Sequence, residues 1–465
     1  MDLTRSYWPM TGRPQGICAG NASTCNLINE GYAWDANGNL STRSKENRYG
    51  ETFTYDSLDR LTHAWMVTQN GVPLGTPVVL HWAEFDRLGN LCAKGIDGAG
   101  VVYDYAGRAG CGISPTNGSG TTALVGPHRV VAVGGGRSYA YDVRGNQTVR
   151  DMPGTASDRT IAYSLDDKAH QIDLGGSQTR YWYGSDGQRY KRTDPGRTIL
   201  YLGNVEIETA GSTTTIRRTV AGVMIQTIVG ATATNHYQFH DVLGSLVRTT
   251  DASGTVIDSL DYRAFGLRAS YADPTTVSYT GSNLSLRGFT GHEHIDVVDM
   301  DVIHMNGRIY DPEIGRFLQA DPIIQAPDNL QSWNAYTYVF NNPLTLVDPM
   351  GLFSLRKFLR MAAAIAITVY SGGTAAGYAW RFWGASVTTG QAIFAVAAGG
   401  FAAGAISSGS LRGGVYGAIT ALAFYAPRVR MVVAPIDSTL GGRGQRIGSI
   451  RTSIQRQGGG ATVAT

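Results

Sequence analysis

The chain is 465 residues long, 43% hydrophobic and only 16% charged, which is apolar enough for a core and excludes disorder along its whole length. Sixty glycines, and 24 tyrosines against 13 phenylalanines, favour short strands joined by tight turns over a helical bundle, because glycine supplies positive φ and tyrosine packs well on pleated surfaces. The net charge of +3 is unevenly held: from Gly351 onward eleven Lys/Arg face Asp437 alone, so composition breaks near residue 350.

The opening MDLTRSYWPM lacks the apolar core of a secretory signal. It begins as though inside a structure, as the C-terminal part of something longer would. Cys18, Cys25, Cys92 and Cys111 include no CxxC pair, which argues against zinc. Two disulfides in an exported protein and four reduced thiols both fit.

A repeat follows. Tyr32-Ala-Trp-Asp35-Ala-Asn-Gly38-Asn39-Leu40 returns as Tyr55-Asp56-Ser-Leu-Asp59-Arg60-Leu61, as Phe85-Asp86-Arg-Leu-Gly89-Asn90-Leu91 and as Tyr141-Asp142-Val-Arg-Gly145-Asn146-Gln147. Looser copies are Tyr103-Asp104, Tyr183–Arg189 and His240–Leu246. The unit is aromatic, Asp, two spacers, Gly, polar, apolar. It reads as a hairpin: the aromatic closes one strand, Asp bonds the turn amides, Gly-Asn or Gly-Gln takes positive φ, and the apolar residue opens the return strand. Thr52–Tyr55, Thr198–Tyr201 and Thr213–Arg218 read as strands. One hairpin is marginal alone, whereas stacked hairpins bury a shared face and give a long curved sheet.

These units resemble the YD repeats of the RHS/YD-repeat family. His240–Gly266 and Arg287–Leu352 (RGFTGHEH, HMNGRIYDPEIGRFLQADP, YVFNNPLTLVDPMGL) are similar to its RHS-repeat-associated core. The resemblance implies a mainly β fold, a long wrapped sheet of YD-repeat hairpins forming a partial β-shell or cocoon around a variable C-terminal segment, which composition here reads as Ala/Gly-rich and helical. The expected divisions are a YD-repeat region at 1–236, the plugging and self-cleaving core at 237–352, an apolar helical segment at 353–426 and a disordered tail at 427–465.

The chemical candidates lie between Arg308 and Leu352. Asp321 and Asp348 each precede proline. Two aspartates brought together share a proton, so one can activate water while the other polarises a carbonyl. A nearby arginine would tune the pair or stabilise an oxyanion. On residue types alone, Asp-Pro is also an ordinary turn starter. The resemblance implies that Asp321, Asp348 and Arg308 form a self-cleaving aspartyl protease of one turnover, cutting between Leu352 and Phe353. Ile323–Leu330 is a longer insert than insecticidal members of the family carry, and Asp311 before Pro312 is expected to serve a turn.

Other chemistry is poorly supplied. Gly291-His292-Glu293-His294, with His304 beyond, lacks the H-E-x-x-H of a zincin and reads as a polar edge of the plug, so no metal is expected. Asp35–Gly38 and Asp251–Gly254 lack the remaining ligands of a calcium loop and read as hairpin turns. No GxxxxGK[ST] occurs, and neither a cofactor nor a nucleic-acid partner is expected. The repeated aromatics fit strand packing better than a sugar-binding surface.

Residues 353–465 hold no histidine, no cysteine and one acid, which argues against an enzymatic toxin there. Residues 361–380, 382–411 and 413–427 are uncharged, with Gly373/Gly377, Gly400/Gly404 and Gly413/Gly417 at close-packing spacing. This reads as membrane contact through 361–427, or as a soluble helical hairpin inside the shell. The chain as a whole reads as an RHS-family toxin shell fragment that releases its C-terminal segment in interbacterial competition or effector delivery. An immunity protein and a secretion-system component are the implied partners, and the implied location is secreted or cell-surface associated. The competing reading is a non-catalytic cell-surface or carbohydrate-binding YD-repeat scaffold.

Overall fold

A computed structural model describes residues 2–20, 24–46, 48–96, 99–105, 127–134, 136–155, 157–277, 284–295, 302–324 and 326–352. Phe353, the apolar segment expected to make membrane contact through 361–427, and the tail lie outside the described residues. Among the described residues no helix is long and apolar enough to cross a membrane.

The described chain is mainly β, as the repeats imply. Strands β1 (Asp2–Tyr7) to β23 (Val256–Ser259) form one 23-stranded sheet in which sequence neighbours pair antiparallel. Thr52–Tyr55, Thr198–Tyr201 and Thr213–Arg218 all lie within its strands. Cys18 and Cys25 are joined in a disulfide.

The repeat unit explains the sheet. At Asp142, Oδ1 accepts from Arg144 N at 2.9 Å and Asn146 N at 2.8 Å. Asp142 N donates to Asn146 O at 2.9 Å, closing the turn, and Gly145 takes φ +95°. Strand pairing shifts register between Ala140 and Tyr141, the bulge that goes with a type I turn followed by a left-handed residue. The same shift precedes Trp34, Tyr55, Phe85, Tyr163, Tyr183 and His240. Asp35–Gly38 and Asp251–Gly254 are turns of this kind.

The expectation for the polar residue after glycine needs correction. Gly38, Gly89 and Gly145 have positive φ, but Asn39, Asn90 and Asn146 do not. One left-handed residue completes the turn, and the next already belongs to the return strand. Each asparagine instead donates from Nδ2 to Oδ2 of its own Asp, at 3.1, 2.8 and 2.9 Å.

The aromatic residue does more than fill the core. Tyr55, Tyr105, Tyr163, Tyr183 and Tyr262 donate their hydroxyls to the carbonyls of Leu40, Leu91, Gln147, Ala169 and Leu246, at 2.8–3.1 Å. Each accepting carbonyl belongs to the return strand of an earlier unit, so each tyrosine staples its hairpin to its predecessor. The units at Tyr163 and Tyr262 replace Asp with Ser164 and Arg263 yet keep the backbone-closed turn.

The described residues of 260–352, here called the plug, pack against this sheet. They contribute the short pairs β24 (Asp261–Tyr262) with β25 (Arg268–Ala269), and a four-stranded sheet of β26 (Glu293–Ile295), β27 (Val302–His304), β28 (Ile309–Asp311) and β29 (Arg316–Phe317). Phe289, Tyr310, Phe317 and Tyr338 form its aromatic centre, with ring centroids 4.7–6.0 Å apart. Ile295, Val302, Ile309, Ile314 and Leu318 extend one core cluster of the sheet, and Ala264, Phe265 and Leu344 extend another. Buried charges fasten the seam. Glu293 meets Arg189, Arg192 and Tyr201, Asp261 meets Lys45, Arg48 and Tyr49, and Asp311 meets Arg159.

Candidate active site

Local pairing brings the predicted residues together. Leu318 N donates to Ile309 O at 2.9 Å, and Ile309 N donates to Gln319 Oε1 at 2.8 Å. This sets Arg308, just before β28, beside Asp321, just after β29. The carbonyl of Ala335 joins the two, accepting from Arg308 Nη1 at 2.9 Å and from Asp321 N at 2.9 Å. Arg308 is buried, with its guanidinium carbon 3.5 Å from the ring centre of Phe317.

One guanidinium nitrogen serves both acids. Arg308 Nη2 lies 3.0 Å from Asp321 Oδ2 and 3.5 Å from Asp348 Oδ2. Asp321 keeps 9% of its side chain exposed, whereas Asp348 is fully enclosed. Burial pushes the Asp348 carboxyl up, Arg308 and the Met350 and Leu352 amides pull it down, and Asp321 pushes it up again. The balance is above its ordinary value.

The Pro349–Leu352 tract is held along its length. Asp348 Oδ1 accepts from Met350 N at 3.2 Å and Leu352 N at 3.1 Å. Gly307 N donates to Met350 O at 2.8 Å, and Arg308 Nε donates to Gly351 O at 2.6 Å. A side chain at Gly307 would collide with Leu352 Cγ at 2.6 Å and Met350 O at 2.7 Å. Glycine there lets the tract lie against the backbone. Leu352, the expected cut residue, therefore has its amide fixed beside the acids.

Sequence reasoning missed part of this arrangement. Gly307 had no signal beyond its place next to Arg308. His292 stood out only as a metal candidate, yet its Nε2 lies 3.3 Å from Pro349 O. Glu293 faces away from it, onto Arg189 and Arg192, and His304 Nε2 meets the Tyr183 hydroxyl at 2.9 Å. Asp311 takes its turn role, accepting from Glu313 N at 3.0 Å, and also pairs with Arg159 at 2.9 Å, which its sequence context did not suggest.

Comparison with known proteins places the fold. No family model matches the chain. It is 23% identical over 355 residues to the tRNA nuclease WapA of Bacillus subtilis and 24% identical over 358 residues to the tRNA3(Ser)-specific nuclease WapA of Bacillus spizizenii. Each match covers 69% of this chain but only 14% of the relative. A shorter match, 28% identical over 130 residues, covers 28% of this chain and 3% of salivary gland surface protein 1 of Aedes aegypti. Among solved structures, the TcdB2–TccC3 complex and the Tc holotoxin pore of Photorhabdus luminescens each superpose with a TM-score of 0.56 at 21% identity, covering 75% of this chain and 18% of theirs. The sheet and plug share the fold seen in those structures.

Proposed function

We propose that this chain is part of an RHS-type toxin shell whose plug cuts the chain once, between Leu352 and Phe353, to release the C-terminal segment. One observation carries the reading: Asp321 and Asp348 meet on a single arginine nitrogen while Asp348 also holds the amides of the tract to be cut. Two acids in ordinary turns have no reason to converge there.

The roles follow from surroundings. Asp321, closest to the guanidinium and still reaching solvent, serves as the base. It takes a proton from the water whose oxygen attacks the Leu352 carbonyl carbon. Asp348, the dry member of the pair and the one whose carboxyl burial raises, is assigned the shared proton, on Oδ2 because Oδ1 is committed to two amides. That proton polarises the carbonyl and then passes to the leaving amine of Phe353 as the C–N bond breaks. Arg308 neutralises charge developing on the pair. The tract is part of the chain, so the acids and the bond to be cut belong to one molecule and their mutual positioning is already built in.

Release would act in interbacterial competition or effector delivery, with a secretion component and an immunity protein as partners. The WapA relatives and the Tc structures support a toxin role of this kind. Purified protein should migrate as two fragments on a denaturing gel, with a new N-terminus at Phe353. Asp321→Asn or Asp348→Asn should give one intact chain. An intact wild-type chain overturns the reading and leaves a scaffold.

A further inference from the structure

We propose that His292 is a positioning residue for this scission, holding the Pro349 carbonyl so that the tract stays seated on the two aspartates. The inference rests on the self-cleavage reading and adds to it a residue outside the acid pair.

The geometry fixes what the ring does. Pro349 O lies 3.3 Å from His292 Nε2, and a carbonyl carries no proton, so Nε2 must be the donor. The other ring nitrogen, Nδ1, lies 2.9 Å from Thr290 Oγ1, and in the neutral ring it accepts from that hydroxyl. The imidazole is buried at 4% exposure. Burial, opposed by the Pro349 contact and aided by Arg287 and His294, lowers its pKa to about 4, so it is neutral across the physiological range. A single tautomer is thereby selected, one that donates toward the tract at every working pH.

The ring is itself braced. Thr290 sits in the left-handed region at φ +47°, and its amide donates to Ser245 Oγ at 3.1 Å. Ser245 belongs to a repeat turn of the sheet, so a chain of contacts runs from that turn through Thr290 and His292 to the tract. With His292 in place, three successive carbonyls are caught by three separate donors: Pro349 by His292, Met350 by Gly307 and Gly351 by Arg308. Losing the first frees the Pro349 carbonyl while Met350 and Gly351 keep their donors, so the start of the tract can shift against its fixed middle. A displacement of about 1 Å at a reacting centre can cost about a hundredfold in rate.

The test compares His292→Gln, whose amide nitrogen can reach the same carbonyl, with His292→Leu, which fills similar space without a donor. Full-length chains are made in a cell-free system and the appearance of the two fragments is timed at pH 5.5, 7 and 8. Folding is checked on the same substitutions in uncut Asp348→Asn chains. We expect Gln to cut within about threefold of wild type and Leu to cut about 10–100-fold more slowly. The ratio of Leu to wild type should be the same at all three pH values. Equal slowing by Gln and Leu, or a Leu variant as fast as wild type, overturns the inference while leaving self-cleavage standing. A wild-type chain that never cuts removes the self-cleavage reading and the inference with it.

Discussion

The turn at Asp142 and the tract at Asp348 are built on one pattern and put to different uses. Both run Asp, two residues, glycine, one residue, and in both the glycine has positive φ (Gly145 at +95°, Gly351 at +63°). In both, the aspartate Oδ1 accepts from the amides two and four residues on, at 2.9 and 2.8 Å in the repeat and at 3.2 and 3.1 Å in the plug. The repeat turn is then closed by Asp142 N donating to Asn146 O, whereas no such bond joins Asp348 N to Leu352 O. The repeat aspartate is half-buried, and Asp348 is enclosed beside Arg308 and Asp321. The plug has thus taken a repeat turn, left it unclosed at its last carbonyl and excluded water from its aspartate. The carbonyl that a repeat uses to hold its hairpin is the one we propose is attacked.

Replacing each aspartate with asparagine gives the sharpest test of that contrast. Asparagine keeps the Oδ1 acceptor and therefore the turn, but cannot carry or give up the catalytic proton. Asp348→Asn should slow scission by about 10²–10⁴-fold, the usual contribution of a general acid or base. Asp142→Asn should leave the rate unchanged and stability within about 1 kcal/mol. Timing the two fragments on a gel checks both. Similar rates for the two variants would reduce Asp348 to another turn residue.

The next largest effect concerns how sheet and plug are fastened. Sheet turns use carboxylates near water, whereas the seam buries them. Glu293 is 1% exposed against Arg192 Nη1 at 2.6 Å, Tyr201 Oη at 2.8 Å and Arg189. Burial raises its pKa, but Arg189 and Arg192 more than reverse this and hold it at about 2, against an ordinary 4.5. A carboxyl depressed by folding contributes stability that is complete above about pH 4.5 and is lost as pH falls toward 2. Glu293→Gln should therefore flatten the decline in stability across that window. At neutral pH it should cost about 3–5 kcal/mol, because two buried guanidinium groups lose their counter-charge. Denaturant midpoints of uncut Asp348→Asn chains, measured between pH 2.5 and 7, check both. A loss under about 1 kcal/mol would mean that the Glu293 cluster does not help to hold the plug.

Much of the sheet was legible in the sequence, since its unit is local: Asp, Gly and the aromatic act within one hairpin. The tyrosine staple was not legible, because Tyr163 finds its acceptor at Gln147, a residue outside its own turn. The site was half legible. Asp321, Asp348 and Arg308 stood out by their motifs. Gly307 and His292 act through backbone carbonyls that any residue carries, so nothing in their neighbours' side chains marks them. Nor did the shared pattern of Asp142 and Asp348 stand out, because Pro349 and Leu352 disguise the second as a different motif. The staple carries its own prediction. Tyr163→Phe should cost about 1 kcal/mol in denaturation of the uncut chain. The same change at exposed Tyr190 should stay within about 0.5 kcal/mol. Equal effects would show that the ring, not the hydroxyl, joins the repeats.

The smallest effect asks whether a repeat turn needs glycine or only a left-handed residue. Asp59 stands where most units have glycine, at φ +60°. Its Oδ1 accepts from Asn37 Nδ2 at 3.1 Å and Asn39 Nδ2 at 2.8 Å, both in the preceding turn. Asp167 stands likewise at φ +59° and accepts from Asn146 Nδ2 at 2.8 Å. Asp59→Gly would relieve a left-handed conformation that costs most residues about 1–2 kcal/mol, and aspartate less. It would also lose one exposed and one partly buried hydrogen bond, worth about 0.5–1.5 kcal/mol each. The second effect wins narrowly, so Asp59→Gly should destabilise by under about 1 kcal/mol, while Asp59→Asn, which tolerates the same φ and keeps the acceptor, should be neutral. Thermal denaturation of the two variants ranks them directly. If glycine proves the more stable, the aspartate is a turn residue like any other, and its contacts to the preceding turn add nothing to the strand pairing and tyrosine bonds that join neighbouring hairpins.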